Sequence, residues 1–107
     1  MSLGNDEFQR ELIITFIEDA DKRFEKLNAH MESQDMDKFV AEAHTIKGAS
    51  LSIGALLIGR NALIAEMSGK QKNYSALPDN LSQLKSAIDK TKVILIEHFN
   101  LDEIIPS

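Results

Sequence analysis

The stretch SQDMDKFVAEAHTIKGASLSIG, residues 33–54, contains the features that decide the fold. It begins with a polar break that ends in Asp35, a residue type that often caps the N-terminus of a helix. Apolar residues with the three- and four-residue spacing of one helix face follow: Met36, Phe39, Val40, Ala43 and Ile46. Gly54 stands where a glycine commonly ends a helix. This stretch therefore predicts a helix over 36–52 with a turn at each end.

The sequence on either side predicts three more helices. Residues 6–32 carry a long apolar stripe with acidic residues in its first turn, where the helix dipole favours anions. Residues 55–70 are apolar on most sides and predict a short, largely buried helix. After a polar turn, Pro78 and Asp79 supply the first turn of a last amphipathic helix over 78–99. No segment alternates with period two, so strands are not expected.

Four amphipathic helices with short connections define the expected fold class. Such helices pack most economically as an antiparallel up-down-up-down four-helix bundle. The chain has 107 residues, of which 43% are apolar and 27% charged, and this composition suits one core. We therefore expect a single all-α domain over residues 1–107.

Composition excludes several kinds of function. The chain has no cysteine, which removes disulfides, thiolate metal sites and cysteine nucleophiles and suits a reducing compartment. A net charge of −5, without basic residues clustered among aromatics, argues against nucleic acid and anionic membranes as partners. The apolar runs are too short to span a bilayer. We expect a cytoplasmic protein.

Spacing also argues against common catalytic sites. A di-iron bundle needs paired Glu-x-x-His elements, and none of His30, His44 and His98 has a glutamate three residues before it. The sequence shows no nucleophile elbow, Walker loop or kinase glycine loop. We therefore expect no enzymatic turnover of its own and no resident cofactor or metal.

His44 has two chemically suggestive neighbours in the predicted second helix. It lies roughly 120° from the centre of the apolar face, at an edge that solvent reaches. Lys47 and Gly48 follow one turn along the helix surface. An imidazole can attack a phosphoryl group, and a nearby lysine can neutralise part of its charge. A glycine inside a helix costs roughly 1 kcal/mol relative to alanine, which clearance for an approaching partner would explain.

The segment 44–50, with Ile53, Gly54 and Ala55, resembles the signature of histidine-containing phosphotransfer (HPt) domains. These are four-helix intermediates of multistep two-component signalling, and the resemblance covers nearly the whole chain in helix order and spacing. It implies that His44 exchanges a phosphoryl group with the aspartate of a receiver domain. The implied domain is a relay without an ATP site.

The resemblance also implies roles for single residues. His44 matches the phosphoacceptor, Lys47 the basic neighbour and Gly48 the small residue that permits approach. Similar members carry an acidic or amide residue about 22 positions after the histidine, which bonds Nδ1 and leaves Nε2 free to attack. Glu66 stands at that position.

The implied partners are receiver domains of response regulators or a hybrid sensor histidine kinase, docking on the first and second helices. Ile14 lies off the apolar face of the first helix, and with Ile17 and Leu51 it forms the candidate docking surface. The alternative is that these are scattered surface hydrophobic residues without a partner. Mg²⁺ is expected only on the partner receiver domain. We expect this chain to be a monomer.

Apolar residues also lie on the far side of the third predicted helix: Leu56, Leu63 and Met67. We expect the loop over 68–77 or the chain termini to cover them. Since lone edge histidines are usually solvated, His30 and His98 are interpreted as surface residues.

Two other functions stay open at this point. A helical adaptor could keep the fold and bind a receiver without accepting phosphate. A kinase dimerisation module would carry its phosphorylated histidine in a two-chain bundle, and four helices within one chain argue against it.

Overall fold

The computed structural model describes residues 5–101, and this part of the chain is helical without strands. Its elements are α1 (Asn5–Glu32), α2 (Met36–Ser52), α3 (Leu56–Lys70), a 3₁₀ turn (Tyr74–Ala76) and α4 (Leu77–His98). The all-α prediction is confirmed, and the predicted helix bounds differ from these by no more than one residue. The ends of the expected 1–107 domain lie outside the described residues.

Helix starts follow the chemistry expected of caps. The Asp35 carboxylate accepts a hydrogen bond from the Lys38 backbone N–H at 3.2 Å and caps α2. Pro78 lies in the first turn of α4, where its missing N–H leaves no helical bond unmade. These two residues fix where the second and fourth helices begin.

Each α-helix ends within two residues of a left-handed backbone position: Gln34, Gly54, Lys72 and Asn100. After α2, Gly54 has φ of +80° and its N–H donates to the Leu51 carbonyl at 3.1 Å. The Ala55 N–H donates to the Ser50 carbonyl at 2.8 Å, which completes a Schellman cap. The chain therefore turns from α2 into α3 within three residues.

Helices α2 and α3 pack side by side in opposite directions. Gly59, near the start of α3, lies against Leu51 at the end of α2. Gly69, near the end of α3, lies against Phe39 at the start of α2, and a Cβ added there would stand 2.8 Å from the Phe39 ring. The glycine therefore lets the two helices approach closely.

Helices α1 and α4 also run in opposite directions. The Lys92 ammonium on α4 lies 2.7 Å from an Asp21 carboxylate oxygen near the middle of α1. Arg10, near the start of α1, donates to the Asn100 carbonyl just after α4, at 3.0 Å. Both contacts lie toward the C-terminal end of α4.

All four helices contribute apolar side chains to one core. Its buried members are Ala20, Leu27, Met36, Phe39, Ala43, Ile46, Ile58, Ala62, Ala65, Leu77, Leu81, Leu84, Ala87 and Ile88. A smaller cluster of Ile13, Ile17 and Leu101 closes one end of the bundle. None of the helices within residues 5–101 is long and apolar enough to cross a lipid bilayer.

Helix α3 is more exposed than the sequence predicted. Leu56 is 65% exposed and Met67 50%, and Leu63 is exposed as well. The prediction that residues 68–77 cover these side chains is wrong. Helix α3 continues to Lys70, and the chain then passes through a short turn and the 3₁₀ turn into α4, so residues 68–77 form no loop over α3. The chain termini lie outside the described residues.

Candidate functional site

Helix α2 places His44 on the exposed surface of the bundle. Its side chain is 65% exposed, whereas Ala43 and Ile46 beside it are buried in the core. This difference follows from helix geometry, because the residue after Ala43 is rotated by about 100° away from the core. A partner molecule can therefore reach the imidazole.

Glu66 reaches the imidazole from α3. Its Oε2 lies 3.2 Å from His44 Nδ1, and its side chain is buried. Since an ionised carboxylate only accepts hydrogen bonds, Nδ1 is the nitrogen that carries the proton. The lone pair of the neutral ring then lies on Nε2, which is the nucleophilic nitrogen of this tautomer.

Two lysines complete the cluster around Glu66. Lys47 Nζ lies 3.0 Å from Oε1, and Lys70 Nζ lies 3.2 Å from Oε2. Oε1 accepts no directed hydrogen bond from the described residues, so the Lys47 contact is chiefly electrostatic. One carboxylate thus faces two ammonium groups and one imidazole.

The charge state of Glu66 is set by opposing effects. Burial raises the pKa of its carboxyl, whereas the contacts with Lys47, Lys70 and His44 lower it, and together they hold this pKa below its ordinary value. The group is consequently an anion at neutral pH. It can accept a hydrogen bond from Nδ1–H and balance positive charge that develops on the ring.

Gly48 leaves open space beside His44. A Cβ added at Gly48 would have no atom of another residue's side chain or of another helix within 4 Å. The bundle's own packing therefore does not require glycine at this position, in contrast to Gly69, whose Cβ would press into α2. The absent side chain lowers the surface next to the imidazole.

The predicted docking residues are in three different environments. Ile17 is buried in the end cluster with Ile13 and Leu101, so the prediction that it belongs to the docking surface is wrong. Its position on the apolar stripe of α1 directs it inward. Ile14 is half-buried against the same cluster, and Leu51 is exposed.

The exposed large apolar side chains of α1 are those of Phe8 and Leu12, which the docking prediction omitted. Leu12 lies three turns before Arg23, whose guanidinium contacts Glu42 on α2 at 3.0 Å. Because three turns return to nearly the same side of a helix, Leu12 faces the α2 side of α1. The spacing of the sequence could have indicated this surface, since Phe8 and Leu12 are four residues apart and fall at one edge of the apolar stripe.

The other two histidines lie apart from this cluster. His98 packs edge to face against Phe99, with ring centroids 4.7 Å apart, and His30 lies half-buried in the last turn of α1. Within residues 5–101, no group of three or more histidine, aspartate or glutamate side chains could hold a metal ion. Of the three histidines, His44 is therefore the one whose ring contacts a buried carboxylate among the described residues.

Lys70 is the site residue that the sequence reasoning missed. Its spacing of four from Glu66 on α3 is a recognisable ion-pair pattern. Its relevance depends on the pairing of α3 with α2, because only that pairing brings Glu66 to His44.

An exposed imidazole with one nitrogen held by a buried carboxylate, on an all-α bundle, is an arrangement suited to carrying a group between partners. The Hpt domain family model matches residues 11–93, so this chain belongs to the Hpt domain family. That family consists of phosphotransfer carriers rather than classical enzymes.

A curated relative supports the same assignment. Histidine-containing phosphotransfer protein 1 of Arabidopsis thaliana is 27% identical over 102 residues, which cover 94% of this chain and 66% of the relative. The chain thus spans slightly less than two thirds of that relative's length. No solved structure matches the chain.

Proposed function

We propose that the chain is a phosphorelay intermediate that accepts a phosphoryl group on His44 Nε2 and exchanges it with a receiver-domain aspartate. The observation that carries this proposal is the 3.2 Å contact between Nδ1 and Glu66 in a ring that is 65% exposed. One nitrogen is held and protonated while the ring stays accessible. Membership of the Hpt family supports the same chemistry.

The transfer step follows from this tautomer. The Nε2 lone pair attacks the phosphorus of an aspartyl phosphate, and the acyl P–O bond breaks with its electron pair leaving on the carboxylate. The Nδ1 proton stays on the ring and remains shared with Glu66. The ring becomes cationic as the N–P bond forms, and the adjacent carboxylate stabilises that charge.

Lys47 and Gly48 support the step in different ways. The Lys47 ammonium contacts the same Glu66 carboxylate as His44 and offsets part of the phosphoryl charge. The open surface at Gly48 lets the partner's aspartate approach Nε2 in line. Replacement of Lys47 by alanine should therefore slow transfer or shorten the phosphohistidine lifetime.

The proposed partners are receiver domains of response regulators or a hybrid sensor histidine kinase, with Mg²⁺ held by the partner. We propose docking over α1 and α2, where Phe8 and Leu12 on α1 and Leu51, two turns beyond His44 on α2, expose apolar surface. A cytoplasmic location fits the absence of cysteine, and a monomer fits a core that four helices of one chain close together. No ATP site is required for this function.

The test is intact mass after treatment with a small phosphoramidate donor, followed by mild acid. Wild type should gain one acid-labile phosphoryl group, His44→Gln should gain none, and His98→Gln should behave as wild type. Absence of any gain in wild type, together with failure of transfer from a Mg²⁺-activated phospho-receiver, would leave a helical adaptor that binds without accepting phosphate.

A further inference from the structure

We propose that Lys70 leaves Glu66 when His44 is phosphorylated and becomes a direct ligand of the phosphoryl group, an inference that rests on the proposed function. Lys70 Nζ and His44 Nδ1 both lie 3.2 Å from the same oxygen, Glu66 Oε2. The ammonium is therefore no farther from the ring nitrogen than twice that distance. Because the lysine stem is long and flexible, its rotation can carry the ammonium toward a phosphoryl group on Nε2 of the same ring.

The two lysines differ in how easily they can move. The Lys47 side chain is 22% exposed and contacts Oε1, whereas the Lys70 side chain is 61% exposed and contacts Oε2. Ion pairs of exposed groups contribute little stability, and a lysine is a compact charge on a flexible stem. Lys70 can thus exchange one anion for another at small cost, while Lys47 stays in place.

Charge balance supports the same conclusion. Before transfer, two ammonium groups face one carboxylate and a neutral ring, which leaves an excess of positive charge. The phosphoryl group adds about two negative charges, and the ring gains a positive charge as the N–P bond forms. With both lysines the cluster is neutral after transfer, and without Lys70 it carries an uncompensated negative charge.

Movement of Lys70 also strengthens the hydrogen bond between His44 Nδ1–H and Glu66. While Lys70 remains bound, Oε2 is shared between its ammonium and Nδ1–H. Once the ammonium moves to the phosphoryl oxygens, Oε2 accepts from Nδ1–H alone. The hydrogen bond to the newly cationic ring is then charge-assisted and undivided.

The test compares wild type with Lys70→Gln, Lys70→Arg and, as a control, Lys90→Gln at an exposed position on α4. Each is phosphorylated with phosphoramidate, and the half-life of phosphohistidine is followed by ³¹P NMR at neutral pH. Loss of one exposed charge contact of up to about 1 kcal/mol predicts an approximately three- to fivefold shorter half-life for Lys70→Gln. Arginine should restore the lifetime, and the control should match wild type.

A spectroscopic readout separates direct contact from a structural effect. In ¹⁵N-labelled wild type, the Lys70 ammonium resonance should shift on phosphorylation, and it should not shift in donor-treated His44→Gln. Phosphorylated wild type with an unmoved Lys70 resonance, or with Lys70→Gln as long-lived as wild type, overturns this inference alone. Wild type that gains no phosphoryl group overturns the proposed function and this inference with it.

Discussion

Replacement of Glu66 by glutamine removes one charge from the centre of the site and keeps its shape. The amide oxygen can still accept a hydrogen bond from Nδ1–H of His44, so the ring keeps its tautomer and orientation. What disappears is the negative charge that faces the cationic ring during transfer and that pairs with Lys47 and Lys70. Glu66→Gln therefore isolates the electrostatic part of the carboxylate's role.

The expected magnitudes follow from exposure. The contacts with Lys70 and His44 involve side chains more than 60% exposed and each contributes little, whereas Lys47 is mostly shielded. Glutamine is also easier to bury than a carboxylate, so the net loss in unfolding free energy is about 1–2 kcal/mol at neutral pH. Replacing a charge-assisted bond by a neutral one should slow phosphoryl acceptance about tenfold, equivalent to about 1.4 kcal/mol.

The stability difference should depend on pH with a definite sign. The pKa of Glu66 is lowered in the folded chain, so its stabilising effect is complete above the ordinary value of 4.5 and is lost as pH falls through the folded pKa. The gap between wild type and Glu66→Gln should be widest near neutrality and shrink below about pH 4.5. Urea unfolding at several pH values measures the gap.

The matched control is Glu42→Gln. Glu42 is another mostly buried carboxylate on α2, and it pairs with Arg23 at 3.0 Å. This variant should lose comparable stability and accept phosphate at the wild-type rate. If Glu66→Gln accepts phosphate as fast as wild type, or if both variants slow equally, the carboxylate does not act on the ring and the reasoning is refuted.

Three further predictions concern the surface and the packing. His44→Gln should stay within about 0.5 kcal/mol of wild type in urea unfolding while losing phosphate acceptance, because the side chain is exposed. Gly48→Gln should fold at least as stably as wild type yet transfer the phosphoryl group more slowly in single-turnover assays, and transfer at the wild-type rate would refute the clearance argument. Gly69→Ala should lose about 1–3 kcal/mol of unfolding free energy, because its Cβ presses into α2. In single-turnover transfer, Leu12→Ser should raise the half-saturating concentration of phospho-receiver about fivefold with little change in the maximal rate constant. Ile94→Ser, at another exposed apolar position on α4, should change neither, and equal effects would place docking elsewhere.

Most of the fold could be predicted because its determinants are local. Helix positions follow from apolar spacing and from caps such as Asp35 and Gly54, which depend on neighbouring residues only. The contact between His44 and Glu66 lies at the expected separation because the short turn after α2 pairs the two helices in register.

What could not be predicted depends on contacts between distant residues. Ile14 lies off the apolar face of α1, yet it is half-buried against the cluster that contains Leu101, and no local pattern specifies this contact across most of the chain. The exposure of Leu56 and Met67 likewise depends on where α4 runs after the turn. Lys70 belongs to the site only because α3 packs against α2 and brings Glu66 to His44.

If His44 carries the phosphoryl group as proposed, its exposure has a kinetic consequence. A carrier that leaves its reactive ring open to every partner leaves it equally open to water, so hydrolysis competes with onward delivery throughout the lifetime of the phosphorylated state. Since the bundle supplies no cover for the ring among the described residues, shielding has to come from the docked partner. The fraction of phosphoryl groups that reaches a receiver then depends on the receiver's concentration as well as on its affinity. A cell could therefore change the lifetime of the phosphorylated state by changing the amount of receiver.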